Sequence, residues 1–300
     1  MMRLPTCHSL SLPLSLLLLC AACSSTGAAD ASDAAPASGP TTTLEEDLTA
    51  ARRAYREQPD SILAGIWVGR RLAYLGRYEE AVDWYSQQLE RHPDSVRLLR
   101  HRGHRYLSLR RYEDAVRDLS RAAELMAGTE DRIEPDGAPN RYGVPRSTTQ
   151  SNVWYHLGLA HYLLGSFEEA LAAYEEGLAV APNGDMRVAT AHWTFHTLRR
   201  LGREREARML VAAIDPGEDV IENFAYRDAL RLYRAEWTPR KVLERHESGI
   251  GLASAGYGVA AWRLENGSTE RARGLLERIS REAPLASFGR MAAEADLARL

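Results

Sequence analysis

Lysine is all but missing from this chain: of 38 basic residues only Lys241 is lysine, and the rest are arginine. An arginine cluster therefore reflects background composition before it reflects a site. Cysteine is missing after Cys23, since Cys7, Cys20 and Cys23 are the only three. The body has no disulfide framework and no thiol nucleophile. Beyond the N-terminal segment no apolar run is long enough to span a bilayer, and no stretch alternates as a strand would. The catalytic signatures are missing too: no G-x-S-x-G elbow, no phosphate loop with G-K-[ST], no H-E-x-x-H. A net charge of −3 gives no electrostatic ground for binding nucleic acid or an anionic membrane surface. These absences point away from an enzyme and from any cofactor.

The N-terminus has the plan of a processed segment. Arg3 supplies a short basic region, and Leu10 to Leu19 an apolar run including Leu16, Leu17, Leu18 and Leu19. That length suits a signal segment better than a membrane span. Ala21 and Ala22 then lead into Cys23, Ser24 and Ser25. The arrangement resembles a bacterial lipobox, with Cys20 standing where Leu is usual. The resemblance implies a signal peptide over 1–22 and lipidation of Cys23. The mature chain would then sit on the cell envelope, at the outer membrane facing the periplasm. Residues 23–43 are rich in Ala, Ser, Gly, Pro and Thr and read as a disordered linker.

Internal repetition decides the architecture of 44–300. Pro59-Asp60-Ser61 recurs as Pro93-Asp94-Ser95, and Gly69, Tyr78 and Ala81 recur as Gly103, Tyr112 and Ala115, all 34 residues later. The same three reappear as Gly158, Phe167 and Ala170, 55 residues later, so one insertion of 21 residues reconciles the offsets. A period of this size is the mark of a stacked-repeat architecture. The best copies are 62–95, 96–129 and 151–184, with the insertion in a loop at 127–150. Degenerate copies follow over 185–284. A helix at 44–58 and another at 286–300 are expected to cap the two ends. Small residues at the Gly and Ala positions let two helices cross closely, while Pro ends the second helix and Asp or Ser caps the next.

This pattern resembles the tetratricopeptide repeat family. The third copy matches best, with Trp154, Leu157, Gly158, Gly165, Phe167, Ala170, Tyr174, Leu178 and Pro182 at signature spacings. In the second copy Arg102 stands where Leu is usual. The resemblance implies an all-α fold, a right-handed superhelical solenoid of antiparallel helix pairs, that binds proteins and does not catalyse. It also implies a concave groove lined by the first helix of each pair. Carried over by register, the groove positions are Arg70, Tyr74, Arg97, Arg100, His104, Asn152, Tyr155, Tyr162, His192, His196, Arg199 and Arg200. They are basic and aromatic, so the expected partner is a protein or peptide segment carrying acidic groups.

Two further classes stay open from the sequence. One is an accessory factor that positions a cell-wall or envelope-assembly enzyme through a broad surface. The other is a metal-dependent hydrolase, for which His192 and His196 at helical spacing are the candidate ligands. No third ligand accompanies them, so no metal is assigned. His101 with His104, and His156 with His161, read as ordinary helix residues. Gly249, Gly251 and Gly256 read as a connection between helices. A loop as long as 127–150 inside a compact array is either functional or disordered.

Overall fold

The computed structural model describes residues 43–300, apart from 138 and 218. Cys23, the signal segment and the linker up to residue 42 lie outside the described residues. From Thr43 onward the chain is helical, and among the described residues the sole β feature is one isolated antiparallel bridge, Ile133 with Thr148.

The helix ends lie where the sequence chemistry puts them. α1 (Leu44–Glu57) opens on a capping box in which Thr43 and Glu46 satisfy each other's backbone. α2 (Ile62–Tyr74) and α4 (Val96–Ser108) are capped by the hydroxyls of Ser61 and Ser95. Each pairs with the helix that follows it, α2 with α3 (Tyr78–Arg91) and α4 with α5 (Tyr112–Met126). The third pair is α6 (Thr149–Leu164) and α7 (Phe167–Ala179), and the fourth is α8 (Gly184–Arg200) and α9 (Glu204–Ala213). Consecutive pairs stack in chain order, so the apolar face of each is buried by its neighbour.

The crossing inside each pair explains the repeated glycines. A Cβ on Gly69 would lie 2.2 Å from the Tyr85 ring, one on Gly158 2.5 Å from Tyr174, and one on Gly103 2.7 Å from Leu119. Those three partners are themselves one register position. Ala81, Ala115 and Ala170 are fully buried at the same crossings. Arg102, where Leu is usual, makes two bonds to the buried carboxylate of Asp118, at 2.6 and 2.8 Å, and one to Ser86. A paired charge thus replaces an apolar contact.

The remainder departs from the simple array. α10 (Phe224–Tyr233) and α11 (Pro239–Arg245) are separated by a break at Trp237. The glycine-rich stretch is helix, not connection: α12 (Gly249–Gly251) runs through a π turn at Leu252–Gly256 into α13 (Tyr257–Glu265). α14 (Thr269–Glu282) and α15 (Phe288–Arg299) complete the chain. The expectation that 286–300 caps the end of the stack needs correction, because α15 folds back against α6 and the turn of the second pair. Its anchors are Arg110, which donates to Glu294 at 2.8 Å and to the Leu285 carbonyl at 2.8 Å, and Arg299, which donates to the Leu163 carbonyl.

Candidate functional site on the inner face

The positions that the register assigns to an inner face are for the most part covered by the chain itself. The covering comes from three places: the 127–150 insertion, the helices α10 to α13, and the start of α15.

Under the insertion lie the groove positions of the first two pairs. The Arg70 guanidinium donates to the Pro135 carbonyl at 2.6 Å and to the Tyr74 hydroxyl at 3.2 Å. Arg100, buried, pairs with buried Glu134 at 2.9 Å. Arg97 borders a cleft of about 240 Å3 with Glu130, Asp131 and Arg132. The insertion is tied down through its backbone, with Thr149 N–H donating to the Arg132 carbonyl at 2.8 Å and Glu134 N–H to Ser147 at 3.0 Å.

The groove positions of the later pairs are interior. Tyr162, His192 and His196 have no exposed surface. The Tyr233 hydroxyl sits between the two imidazoles, 2.9 Å from His192 Nδ1 and 2.8 Å from His196 Nε2, and His196 Nδ1 is 2.7 Å from Glu265. Burial pushes both imidazoles well below the usual histidine range. Arg199 donates to the Glu265 carbonyl at 2.8 Å, and Arg200 to Asp296 at 2.6 Å. Asp296 also accepts from Tyr257, which is bonded to Tyr162 at 2.7 Å. These side chains join α8 to α10, α13 and α15 and are not available to a ligand. The assignment of Tyr162, His192, His196, Arg199 and Arg200 as groove-lining contacts is therefore corrected: the later helices fill the concavity that a simple array leaves open. The His pair shares a tyrosine and a carboxylate, and among the described residues no three His, Cys, Asp or Glu side chains group as a metal site requires.

Between these two covered regions a pocket of about 400 Å3 remains. Four predicted residues line it: Arg100, His104, Asn152 and Tyr155. His104 lies 4.3 Å from His156, ring centre to ring centre, and both face Phe288 at 5.4 Å. His156 holds the Asn152 carbonyl through Nδ1 at 2.6 Å, which turns its Nε2 into an acceptor when the ring is neutral. Burial holds both imidazoles well below their ordinary value. Tyr155 accepts from Trp193 at 2.8 Å and bonds Tyr226 at 3.2 Å, which fixes its ring.

Sequence reasoning missed the opposite wall, formed by Glu222, Asn223, Tyr226, Ser254 and Phe288. Glu222 and Asn223 are placed by Asp185, whose carboxylate accepts their backbone N–H groups at 3.0 and 2.8 Å and also pairs with Arg146. Ser254 stands on the π turn, a feature frequent at functional sites. Ile250, 61% exposed, adds an apolar edge. The pocket is the size of a small-ligand site, with aromatic walls and a few fixed polar groups. It offers neutral imidazoles, amides, one carboxylate and one already paired guanidinium.

Helix pairs closed at a Gly–Tyr or Gly–Leu crossing and stacked in chain order make an all-α solenoid. The family described as Tetratricopeptide repeat matches at residues 151–183, so the third pair is a tetratricopeptide repeat. The chain is similar to a Hsp70-Hsp90 organizing protein of Triticum aestivum, 32% identical over 110 residues. That similarity covers 37% of this chain and 15% of that protein, so the chain spans a small part of the relative's length. The chain is also similar to solved structures of MamA. One is 14% identical, covering 65% of this chain and 92% of its own, with a TM-score of 0.44. Another, residues 41 to the end of MamA from Desulfovibrio magneticus RS-1, is 17% identical, covering 64% and 87%, with a TM-score of 0.43.

Proposed function

We propose that this protein is an interaction scaffold which captures a short segment of a partner protein on its inner face, with the pocket at Arg100, His104, Tyr155 and Phe288 as the anchor. The observation that carries the reading is the pocket itself: a cavity of about 400 Å3 with rigid aromatic walls, set where the register of a repeat array directs its recognition residues. Its volume suits one or two side chains of a partner. Fixed aromatic rings lose little freedom on binding, which favours them as anchors. At this pocket the acidic partner expected from the sequence loses support, because Arg100 is already paired with Glu134, and Arg199 and Arg200 face carboxylates elsewhere in the same chain; an acidic segment would have to displace Glu134 itself. A segment bearing an aromatic or amide group fits the pocket lining better.

The setting belongs to the same proposal. Lipidation of Cys23 would hold the scaffold at the cell envelope, and a partner in envelope assembly would then be within reach. What supports this is the small-residue run before Cys23 and the apolar stretch before it. The test is a crosslinked pull-down from native membranes with the parent and with Ala286→Trp, which fills the pocket mouth from a half-buried position. Loss of one prominent partner in the variant, with helical content unchanged, is the expected result. The same set of partners at parental yield overturns the pocket as anchor.

A further inference from the structure

The insertion lies on the inner face as a ligand would, and not as a core element would. Ile133 is 69% exposed, so its apolar residue is not what holds it. Toward α2 and α4 it makes three kinds of approach. Glu134 pairs with Arg100, the Pro135 carbonyl accepts from Arg70, and Gly137 passes so close to α2 that a Cβ there would lie 1.6 Å from the Tyr74 hydroxyl. These are charge recognition, backbone recognition and close backbone approach, the three means by which an extended peptide is read.

The fit is also incomplete. Arg100 and Glu134 meet through one nitrogen and one oxygen, while Arg100 Nε and Glu134 Oε1 are buried without a partner. The Asp136 Oδ2 atom is likewise buried and unpartnered. A guanidinium and a carboxylate free to orient bond bidentately. Here that second bond between Arg100 and Glu134 is missing.

We propose that the cleft between α2 and α4, floored by Arg70, Tyr74 and Arg100, is a recognition site for an extended segment of the Glu-Pro-Asp type, and that residues 131–137 are its resident ligand, exchangeable for a partner segment of the same chemistry. The proposal rests on the reading of the inner face as a recognition surface and names the ligand class for its first half. The resident segment is tethered at both ends, so its effective concentration is on the order of millimolar. A partner must outcompete it, and its apparent affinity falls by the fraction of time the cleft is open. Segments that engage Arg100 through both oxygens meet that requirement, and weaker acidic peptides are rejected.

The test uses the full chain and a blocked, fluorescent peptide spanning Asp131–Gly137. The double variant Glu134→Ala with Gly137→Val removes the ion pair and places a side chain against Tyr74, expelling the resident segment. This variant should bind the peptide at least tenfold more tightly than the parent, and adding Arg100→Ala should abolish the gain. Glu134→Gln, which preserves shape, should give a gain of roughly threefold and serves if the double variant fails to fold. Equal binding by the parent and both variants, or a gain that survives Arg100→Ala, overturns the proposal. Loss of the pulled-down partner in Ala286→Trp without any peptide effect would sink this inference alone and leave the pocket reading standing.

Discussion

Arg110, in the turn of the second helix pair, donates to Glu294 of the last helix at 2.8 Å, across 184 residues of sequence. It does so from a left-handed backbone, with φ 61°, where Gly76 and Gly165 occupy the equivalent turns. A non-glycine residue in that region costs about 1–2 kcal/mol. The chain keeps an arginine there, and the arginine holds α15 against the inner face. Both partners are about a quarter to a third exposed, so the pair itself contributes about 0.5–1 kcal/mol. Glu294→Gln should lower stability by that amount and speed hydrogen exchange in 288–299 selectively. Uniform change across all helices, or none, would show that α15 is held by its apolar contacts alone.

The crossings give the second prediction. Gly158→Ala puts a methyl 2.5 Å from the Tyr174 ring, and the forced shift should cost about 1–3 kcal/mol. Gly274 lies in the exposed interior of α14 with open space around it, so Gly274→Ala should stabilise by about 0.5–1 kcal/mol. The two thermal midpoints should move in opposite directions from the parent.

Acid sensitivity is the third. Five imidazoles, His101, His104, His156, His192 and His196, are held well below the usual histidine range by burial. Below pH 6.5 the unfolded chain takes up protons that the folded chain refuses, so stability is present above that pH and is lost as pH falls. Each such group contributes a slope of up to about 1.4 kcal/mol per pH unit. Glu265 opposes them: burial raises its carboxyl well above the ordinary value, so its contribution is lost as pH rises. One carboxyl against five imidazoles leaves the histidines dominant between pH 6.5 and 5. Asp228, lowered to about 2 by His246 and arginine partners against the opposing effect of burial, adds stability lost only in stronger acid. The thermal midpoint should drop clearly from pH 7 to pH 5, and a flat profile would refute this assignment of charge states.

Legibility in the sequence followed the range of the interactions. Gly69, Tyr78 and Ala81 repeat because they serve contacts between adjacent helices, and a fixed period exposes such contacts. The closure of the inner face rests on Glu134, Glu265, Glu294 and Asp296, which lie in the insertion or the degenerate tail, where no period marks them. Register carried Arg100, Arg199 and Arg200 to groove positions, but their partners are carboxylates from distant parts of the same chain. Phe288 and Glu222 of the pocket were missed for the same reason. The glycines of 249–256 misled because the buried π turn at Leu252–Gly256 is built from the same small residues that loops favour.

The fourth prediction addresses the envelope proposal. Cys23→Ser should move the protein from the membrane fraction to the soluble fraction, since multiple acyl chains give stable attachment and their loss removes it. Membrane fractionation identical to the parent would contradict lipidation at that position.

Site-specific photo-crosslinking in intact cells tests the central claim most directly. One photoreactive residue replaces Ala286 at the pocket, and in a second version it replaces Ala172, exposed on α7. Capture by the inner face predicts one dominant crosslinked partner from position 286 that is missing from position 172. A partner crosslinked from 172 and not from 286, or equally from both, would contradict it.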